Sequence, residues 1–263
     1  MRNKTPYIIV IILIIIFRGI LIRQQEIANT PIKNDTKNLV IIDKIETKLS
    51  ESINKTVTST VKTPIIQQPA CPIPQKRYED MWLLDIGQNI SLPEITYIPE
   101  DLVKIPNIFG AKSDICLTKD TKDNLEIMLN QAKADGYNIK VTSGFRTYNY
   151  QTGLLNTAIA GGNLNANLSI AKAGYSEHQL GTAVDLSGES IGYTSAVKVF
   201  DKTPEALWLK KYASDYGFIE SYPEGKENIT GYLYEPWHYR YVGFDNAKEI
   251  LQNGQTITEF LPQ

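Results

Sequence analysis

The chain has 263 residues, with 27 basic and 29 acidic side chains, a formal net charge of −2 and a pI of about 5.8. This near balance provides no broad basic field, so the composition does not favour a nucleic-acid-binding protein. The length suits one domain of about 150–200 residues with an extension.

An apolar run at residues 7–22 opens the chain, and it is interrupted only near its end, at Arg18 and the glycine after it. Arg2 and Lys4 precede the run, and a basic region followed by a hydrophobic one is the order of an export signal. No clear small-residue cleavage site follows, so the pattern favours an uncleaved transmembrane signal anchor at residues 1–23 over a cleaved signal peptide. The basic flank predicts that the N-terminus is cytoplasmic and that the rest of the chain lies outside.

Residues 24–77 have a different composition, in which polar residues and prolines dominate and aromatic residues are absent. Such a composition is typical of a flexible linker and predicts an extracytoplasmic stalk. Aromatic residues return at Tyr78 and Trp82, where the sequence predicts the start of a folded domain, residues 78–263.

Cys71 and Cys116 are the only cysteines of the chain. Two cysteines cannot form a tetrahedral structural zinc site without other ligands, and their spacing matches no zinc-ribbon pattern. Outside the cytoplasm they can form a disulfide. The sequence leaves the disulfide and two unpaired thiols equally open.

Hydrophobic spacing, turn residues and helix caps predict the elements of the folded domain. In chain order these are a helix capped by Thr121 and ended by Gly136, a strand at 138–142, a helix from Tyr148, a loop at 161–175, a strand at 182–186, a helix from Pro204 closed by Gly217, strands at 218–219 and 238–242, and a last helix capped by Asp245. Two helix faces are expected to point inward, made by Leu125, Met128, Leu129 and Ala132 and by Leu154, Leu155 and Ala158. Because helices and strands mix without regular βαβ alternation, the predicted class is α+β, with a small central antiparallel sheet and flanking helices.

The chain contains only two histidines, and each lies in a strongly patterned segment. His178 lies in Ser-Glu-His-Gln-Leu-Gly-Thr-Ala-Val-Asp, residues 176–185, and His238 lies in Glu-Pro-Trp-His-Tyr-Arg-Tyr, residues 235–241. Catalytic zinc takes three protein ligands of nitrogen or oxygen type and keeps one position open for water. His178, Asp185 and His238 are the predicted ligands.

Glu235 is the predicted general base, because a carboxylate near a catalytic zinc can accept the proton of an attacking water. It lies three positions before His238, and on an ideal strand that spacing sends two side chains to opposite faces. Either Pro236 bends the strand or the two residues occupy a tight turn, and the sequence leaves both open.

Arg146 follows the predicted end of a strand, where a guanidinium could clamp a substrate carboxylate or polarise the scissile carbonyl. Two nucleophilic alternatives are disfavoured. Ser176 lies only two residues from His178, and no G-x-S-x-G elbow is present. Cys116 as a nucleophile would need one of the two histidines as its base.

Three motifs together resemble one zinc peptidase group, which comprises the VanY-type D-alanyl-D-alanine carboxypeptidases, the LdcB-type L,D-carboxypeptidases and the VanX dipeptidases. They are S-x-H-x-x-G-x-A-x-D at 176–185, E-x-W-H at 235–238, and S-G-F-R-T-Y at 143–148 with Gln151 three residues later. They occur in the family's order, and the resemblance extends over about residues 78–242.

The resemblance implies one zinc ion on His178, Asp185 and His238, with Glu235 as the catalytic base. Arg146 would contact the substrate's carbonyl or terminal carboxylate. The positions of Gln151 and Ser176 match residues that line the pocket for a terminal D-residue in LdcB-like members.

The implied activity is removal of terminal D-alanine from peptidoglycan stem peptides, by a domain on the outer face of a bacterial cell membrane. D,D-carboxypeptidase, L,D-carboxypeptidase and endopeptidase specificities remain open. A non-catalytic wall-binding module on the same fold is the alternative, and a membrane-anchored signalling protein is a weaker one.

Overall fold

A four-stranded antiparallel sheet forms the centre of the domain in the computed structural model, which describes residues 71–72 and 83–261. The six strands of the described chain are β1 (Leu102–Lys104), β2 (Cys116–Thr118), β3 (Ile139–Ser143), β4 (Ala183–Gly188), β5 (Phe218–Glu220) and β6 (His238–Tyr241). The central sheet has the order β3-β4-β6-β5, and β1 and β2 form a separate antiparallel pair. The predicted α+β class and antiparallel sheet are therefore confirmed.

Seven α-helices accompany the strands in the described part of the chain. They are α1 (Lys119–Ala134), α2 (Tyr148–Ala160), α3 (Ala166–Ser169), α4 (Pro204–Tyr212), α5 (Glu227–Thr230), α6 (Phe244–Asn253) and α7 (Ile257–Phe260). Short 3-10 turns lie at Glu177–Leu180, Glu189–Ile191, Lys198–Lys202 and Ala213–Tyr216. The segment predicted as a loop at 161–175 therefore contains the one-turn helix α3.

The main core lies between one face of the sheet and α1, α4 and the turn that follows α4. Every second residue of β4 and β6 points into it, as the strand geometry requires; these are Val184, Leu186, Tyr239 and Tyr241. The predicted inward face of α1 is confirmed, since Leu125, Met128, Leu129 and Ala132 are all buried. The other face of the same strands is left for polar residues.

Two predicted helix caps are wrong. The residue at the N-terminal cap of α1 is Thr118, and Thr121 is buried inside the helix with its hydroxyl 2.7 Å from that of Thr118. Gly243, with φ +83°, precedes α6, so Asp245 lies in the first turn. Both threonines near α1 have capping chemistry, and strand pairing of Thr118 with Leu102 decides where the helix starts.

The start of α4 agrees with its sequence pattern, because Thr203 accepts a hydrogen bond from the Ala206 amide and Pro204 takes the first helical position. The expected inward face of α2 differs. Leu154, Leu155 and Ala158 are only half-buried, and Gln151 is the buried residue of this helix. The reason is that α2 flanks a cavity instead of the main core.

A disulfide joins Cys71 to Cys116, with the Cα atoms 5.5 Å apart. It attaches a residue of the predicted stalk to β2, next to Leu102 and Phe145. The predicted anchor, residues 1–23, and the rest of the predicted stalk lie outside the described residues. Within 71–72 and 83–261, none of the helices combines the length and the apolar character that a bilayer crossing requires.

Candidate active site

Two of the predicted metal ligands face each other across neighbouring strands. Asp185 in β4 is directly opposite His238 in β6, and on the other side of β4 Asp185 pairs with Ser143 of β3. Residues opposite each other in an antiparallel pair have their side chains on the same face. The strand register therefore brings together two residues that are 53 positions apart in the sequence.

The third ligand, His178, comes from the 3-10 turn that precedes β4. Gly181 ends this turn with φ +75°, a left-handed conformation that favours glycine. A Cβ atom at Gly181 would lie 3.1 Å from side-chain atoms of Leu102 and Thr118. The motif glycine therefore allows both the sharp turn and the close approach of β1 and β2 that sets the position of His178.

His178, Asp185 and His238 form a compact, buried cluster, and their potential ligand atoms all lie within 4.8 Å of one another. Asp185 Oδ1 lies 3.3 Å from His178 Nε2 and 3.2 Å from His238 Nδ1. The Nδ1 atom of His178 is 2.8 Å from the carbonyl oxygen of Gly144, to which it donates, so Nε2 keeps its lone pair. This Nε2 is buried without a hydrogen-bond partner.

The other nitrogen of His238 has a carboxylate partner. Glu177 Oε2 lies 2.9 Å from His238 Nε2, and Glu177 Oε1 lies 2.8 Å from Arg240 Nη1. The Tyr222 ring packs beside the His238 ring, with the ring centroids 4.8 Å apart. Both nitrogens of the His238 imidazole therefore have carboxylate partners, Glu177 at Nε2 and Asp185 at Nδ1. Burial would lower the pKa of His238, but hydrogen bonds to Asp185 and Glu177 outweigh it and raise the pKa to about 10. A metal would take the place of the Nδ1 proton.

The electrostatics of the cluster suit a divalent cation. Burial, with a further contribution from Arg146, lowers the pKa of His178 to about 4, so this imidazole is neutral at pH 7. Burial would raise the pKa of Asp185, but His178 and Arg146 outweigh it and hold the pKa well below its ordinary value. Two imidazole nitrogens and a carboxylate oxygen converge here, and this is a donor set that zinc takes. One of the nitrogens, His178 Nε2, is buried without another partner, which is costly unless a metal binds it.

Glu235 lies in a tight turn, which decides between the two arrangements that the sequence left open. The His238 amide donates to the Glu235 carbonyl, at 3.0 Å, across Pro236 and Trp237. Glu235 is 7% exposed, and its Oε2 is 4.0 Å from His238 Nδ1. Burial raises the pKa of Glu235 to about 7 against the opposing effect of His238. A carboxyl with a pKa near 7 can both accept and return a proton at neutral pH.

Arg146 is held against the ligand Asp185, with its Nη2 2.6 Å from Oδ2. It also donates from Nε to Ser143 Oγ, at 3.0 Å, and from Nη1 to Gln151 Oε1, at 3.4 Å. The guanidinium therefore occupies the outer oxygen of Asp185 and leaves Oδ1 facing the histidines. Gln151 is fixed in turn, since its Nε2 donates to the Ala171 carbonyl at 2.7 Å.

A cavity of about 190 Å³ lies over this cluster. All seven predicted site residues line it, namely Arg146, Gln151, Ser176, His178, Asp185, Glu235 and His238. Its other walls include Leu154, Ile170, Ala196, Tyr222, Tyr232 and Trp237. The structure thus assembles the complete predicted set around one space.

Three residues of the site were missed by sequence reasoning. Glu177 adjoins His178 in the motif, and Arg240 lies two positions after His238, so strand alternation could have placed Arg240 on the same face as the ligand. Tyr222 carries no local signal, because only the packing of the loop after β5 brings it to His238.

Comparison with known proteins places this chain beside one group of peptidases. The family model described as VanY, D-alanyl-D-alanine carboxypeptidase, matches residues 114–244. YodJ of Bacillus subtilis (strain 168) is 38% identical over 180 residues, which make up 66% of this chain and 65% of that protein. The LdcB LD-carboxypeptidase structure is 37% identical with a TM-score of 0.61, over 66% of this chain and 83% of that one.

A second solved structure carries the metal. A variant of the vancomycin-resistance D,D-pentapeptidase VanY, in complex with Zn(II), is 29% identical with a TM-score of 0.59, over 69% of this chain and 99% of that one. The chain spans only 65%, 52% and 45% of the length of three curated relatives that it matches. The comparisons confirm the resemblance that the three motifs predicted.

Proposed function

Since this chain belongs to the VanY family of D-alanyl-D-alanine carboxypeptidases, we propose that it is a zinc-dependent carboxypeptidase that removes terminal D-alanine from peptidoglycan stem peptides. The observation that carries the proposal is the buried His178–Asp185–His238 cluster with Glu235 beside it. The carboxyl of Glu235 supports catalysis over binding alone, because a binding module has no need of a base with a pKa near 7.

Each residue of the site has a role that its surroundings support. His178, Asp185 and His238 would hold a zinc ion, which would supply a Lewis acid able to polarise a carbonyl and to make water more acidic. Glu235 accepts the proton of the attacking water and then passes it to the leaving amine. Its position 4.0 Å from the metal-facing nitrogen of His238 places it near the reacting atoms.

The polar end of the cavity suits a C-terminal carboxylate. Arg146, Gln151 and Ser176 all line the cavity, and the guanidinium is fixed by Asp185 and Ser143. A fixed guanidinium recognises a carboxylate with good geometry and also stabilises charge that develops on a nearby carbonyl oxygen. We assign Arg146 to substrate binding and oxyanion stabilisation, and Gln151 and Ser176 to the pocket for the terminal D-residue.

The proposed enzyme acts outside the cytoplasm, tethered to the bacterial cell membrane by residues 1–23. The apolar run with its basic flank supports this location. The Cys71–Cys116 disulfide supports it independently, because disulfides persist in oxidising compartments. Peptidoglycan lies on that side of the membrane. Protease treatment of intact spheroplasts tests the topology, since a cytoplasmic domain would stay protected until the membrane is lysed.

The activity is tested with the purified full-length chain in detergent and with synthetic stem pentapeptide and tetrapeptide. Released D-alanine is expected, it should stop with a chelator, and zinc should restore it. Release from the pentapeptide assigns D,D-specificity, and release from the tetrapeptide assigns L,D-specificity. A zinc-loaded protein that releases nothing from either peptide would refute the proposal and favour an endopeptidase or a wall-binding module.

Glu235→Gln supplies the decisive variant. It should retain zinc and lose about 10²–10⁴ in kcat, because that is the usual contribution of a general base. Glu249→Gln, an exposed position on α6, is the matched control and should keep full activity. Activity of Glu235→Gln within a few-fold of the unmodified chain would remove Glu235 from the mechanism.

A further inference from the structure

A chain of buried charged groups runs from His238 away from the cavity. Glu177 bridges His238 Nε2 and Arg240 Nη1, at 2.9 and 2.8 Å, and the side chains of both Glu177 and Arg240 are completely buried. Arg240 Nη2 also donates to the carbonyl of Leu84, at 2.6 Å. Three separate parts of the chain therefore meet behind one metal ligand: the 3-10 turn, β6 and the segment around residue 84.

Stability alone is a weak reason for this arrangement. Removing a carboxylate and a guanidinium from water is costly, and a buried ion pair often stabilises no more than well-packed apolar residues would. What such a pair does provide is directionality. An ionised carboxylate only accepts hydrogen bonds, so Glu177 requires a proton on Nε2 of His238. A metal would therefore take the place of the other ring proton, on Nδ1, which points to Asp185.

The two histidines are held at different ring nitrogens, His178 at Nδ1 and His238 at Nε2. His178 donates from Nδ1 to the Gly144 carbonyl, which leaves Nε2 for a metal, whereas His238 donates from Nε2 to Glu177, which leaves Nδ1 as the nitrogen that a metal would bind. A backbone carbonyl is fixed by the fold, but a glutamate side chain can rotate. Arg240 removes that freedom, because it holds the second oxygen of Glu177 from the same strand and face as His238.

We propose that Glu177 and Arg240 form a positioning pair, which fixes the tautomer and ring orientation with which His238 binds the metal. Glu177 does not line the cavity, so it can affect the reaction only through its hydrogen bond to His238. The inference rests on the proposed zinc function, and it assigns to the motif residue before His178 a part in metal affinity.

Labelling histidine with ¹⁵N tests the positioning pair without any substitution, because the chain has only two imidazole rings to assign. In the zinc-loaded full-length chain, long-range ¹H–¹⁵N spectra should show one ring protonated at Nδ1 and the other at Nε2. The Nε2 proton should resonate far downfield, as a proton shared with a carboxylate does. Two rings with the same tautomer would overturn the proposal.

Zinc affinity, measured by competition with a chromophoric chelator, tests the contribution of Glu177. Glu177→Gln should weaken zinc binding by about 10–100-fold, the usual effect of removing an outer partner of a ligand histidine. It should also shift the downfield Nε2 proton and change the visible spectrum of the cobalt-substituted protein. Glu177→Asp, which keeps the charge on a shorter side chain, serves if the glutamine variant does not fold, and it should weaken zinc binding as well.

Glu205→Gln is the matched control. Glu205 is also a buried carboxylate, 5% exposed, but its oxygens accept from the amide and hydroxyl of Ser190 instead of a ligand. This variant should lose stability and keep zinc affinity within about threefold, with an unchanged cobalt spectrum. A folded Glu177 variant with the zinc affinity and spectrum of the unmodified chain would overturn the proposal. If the unmodified chain binds no zinc, the proposed function fails first, and this inference fails with it.

Discussion

Glu220 offers a stability prediction whose sign can be worked out from the structure. This residue lies in β5 opposite Tyr239, on the side of the sheet away from the metal cluster, and lines a cavity of about 440 Å³ together with Leu209 and Ile250. Its Oε1 is buried without a hydrogen-bond partner. Burial raises the pKa of Glu220 to about 7, with smaller contributions from nearby acidic groups and an opposing one from Lys210.

The raised pKa means that the folded state keeps a proton that the unfolded state releases. Below pH 4.5 both states are protonated and Glu220 contributes nothing to the pH dependence. Between pH 4.5 and about 7 the folded state binds more protons, so stability falls as the pH rises. Above pH 7 the loss is complete. The difference between 4.5 and about 7 corresponds to about 3 kcal/mol at about 1.4 kcal/mol per pH unit, and partial exposure reduces this to about 1–3 kcal/mol.

Glu220→Gln should therefore stabilise the protein at high pH. Glutamine has a similar shape and carries no charge, so it avoids the cost of a buried carboxylate. The free energy of unfolding is measured with urea between pH 4.5 and 9, with zinc present throughout, and followed by near-ultraviolet circular dichroism. The variant should exceed the unmodified chain by about 1–3 kcal/mol at pH 9, and the two curves should converge near pH 4.5.

Glu205→Gln is the control with the opposite sign. Burial would raise the pKa of Glu205, but hydrogen bonds from Ser190 outweigh it and lower the pKa below its ordinary value. That variant should lose stability at neutral pH and recover relative to the unmodified chain in acid. A Glu220→Gln curve that runs parallel to the unmodified curve across the whole pH range would refute the reasoning.

Two further predictions concern the connections that hold the site. Replacing Cys71 and Cys116 together by alanine should lower the free energy of unfolding by about 2–4 kcal/mol, because the disulfide closes a loop of 45 residues. The stability of this variant should not change when a reductant is added. A urea midpoint equal to that of the unmodified chain would contradict the prediction. Gly181→Ala should cost about 1–2 kcal/mol for the left-handed backbone and also reduce zinc affinity, since the new Cβ meets Leu102 and Thr118. Gly162 also has a left-handed backbone, with φ +80°, but open space surrounds it, so Gly162→Ala should lose stability and keep its zinc affinity. Equal zinc affinities in the two variants would refute the packing argument.

The sequence predicted the site more completely than the details of the fold. His178, Asp185, Glu235 and His238 could be identified because each lies in a short motif with its own chemistry, and all of them line one cavity. The helix caps were less predictable. Thr118 and Thr121 are equivalent by residue type, and pairing of β1 with β2, a contact between distant segments, chooses between them.

The sequence by itself determined which groups are candidates for the chemistry, because each of them lies in a short motif. The tertiary structure placed Asp185 opposite His238 through the register of β4 and β6. Only the tertiary structure decided which nitrogen of each histidine faces the cluster, because the Gly144 carbonyl and the Glu177 carboxylate, which hold the other nitrogens, come from other segments. It also decided that Cys71 pairs with Cys116 and that Glu235 lies in a turn. The physical reason is that residue type and spacing record local preferences, whereas hydrogen-bond partners across the fold depend on strand register and packing.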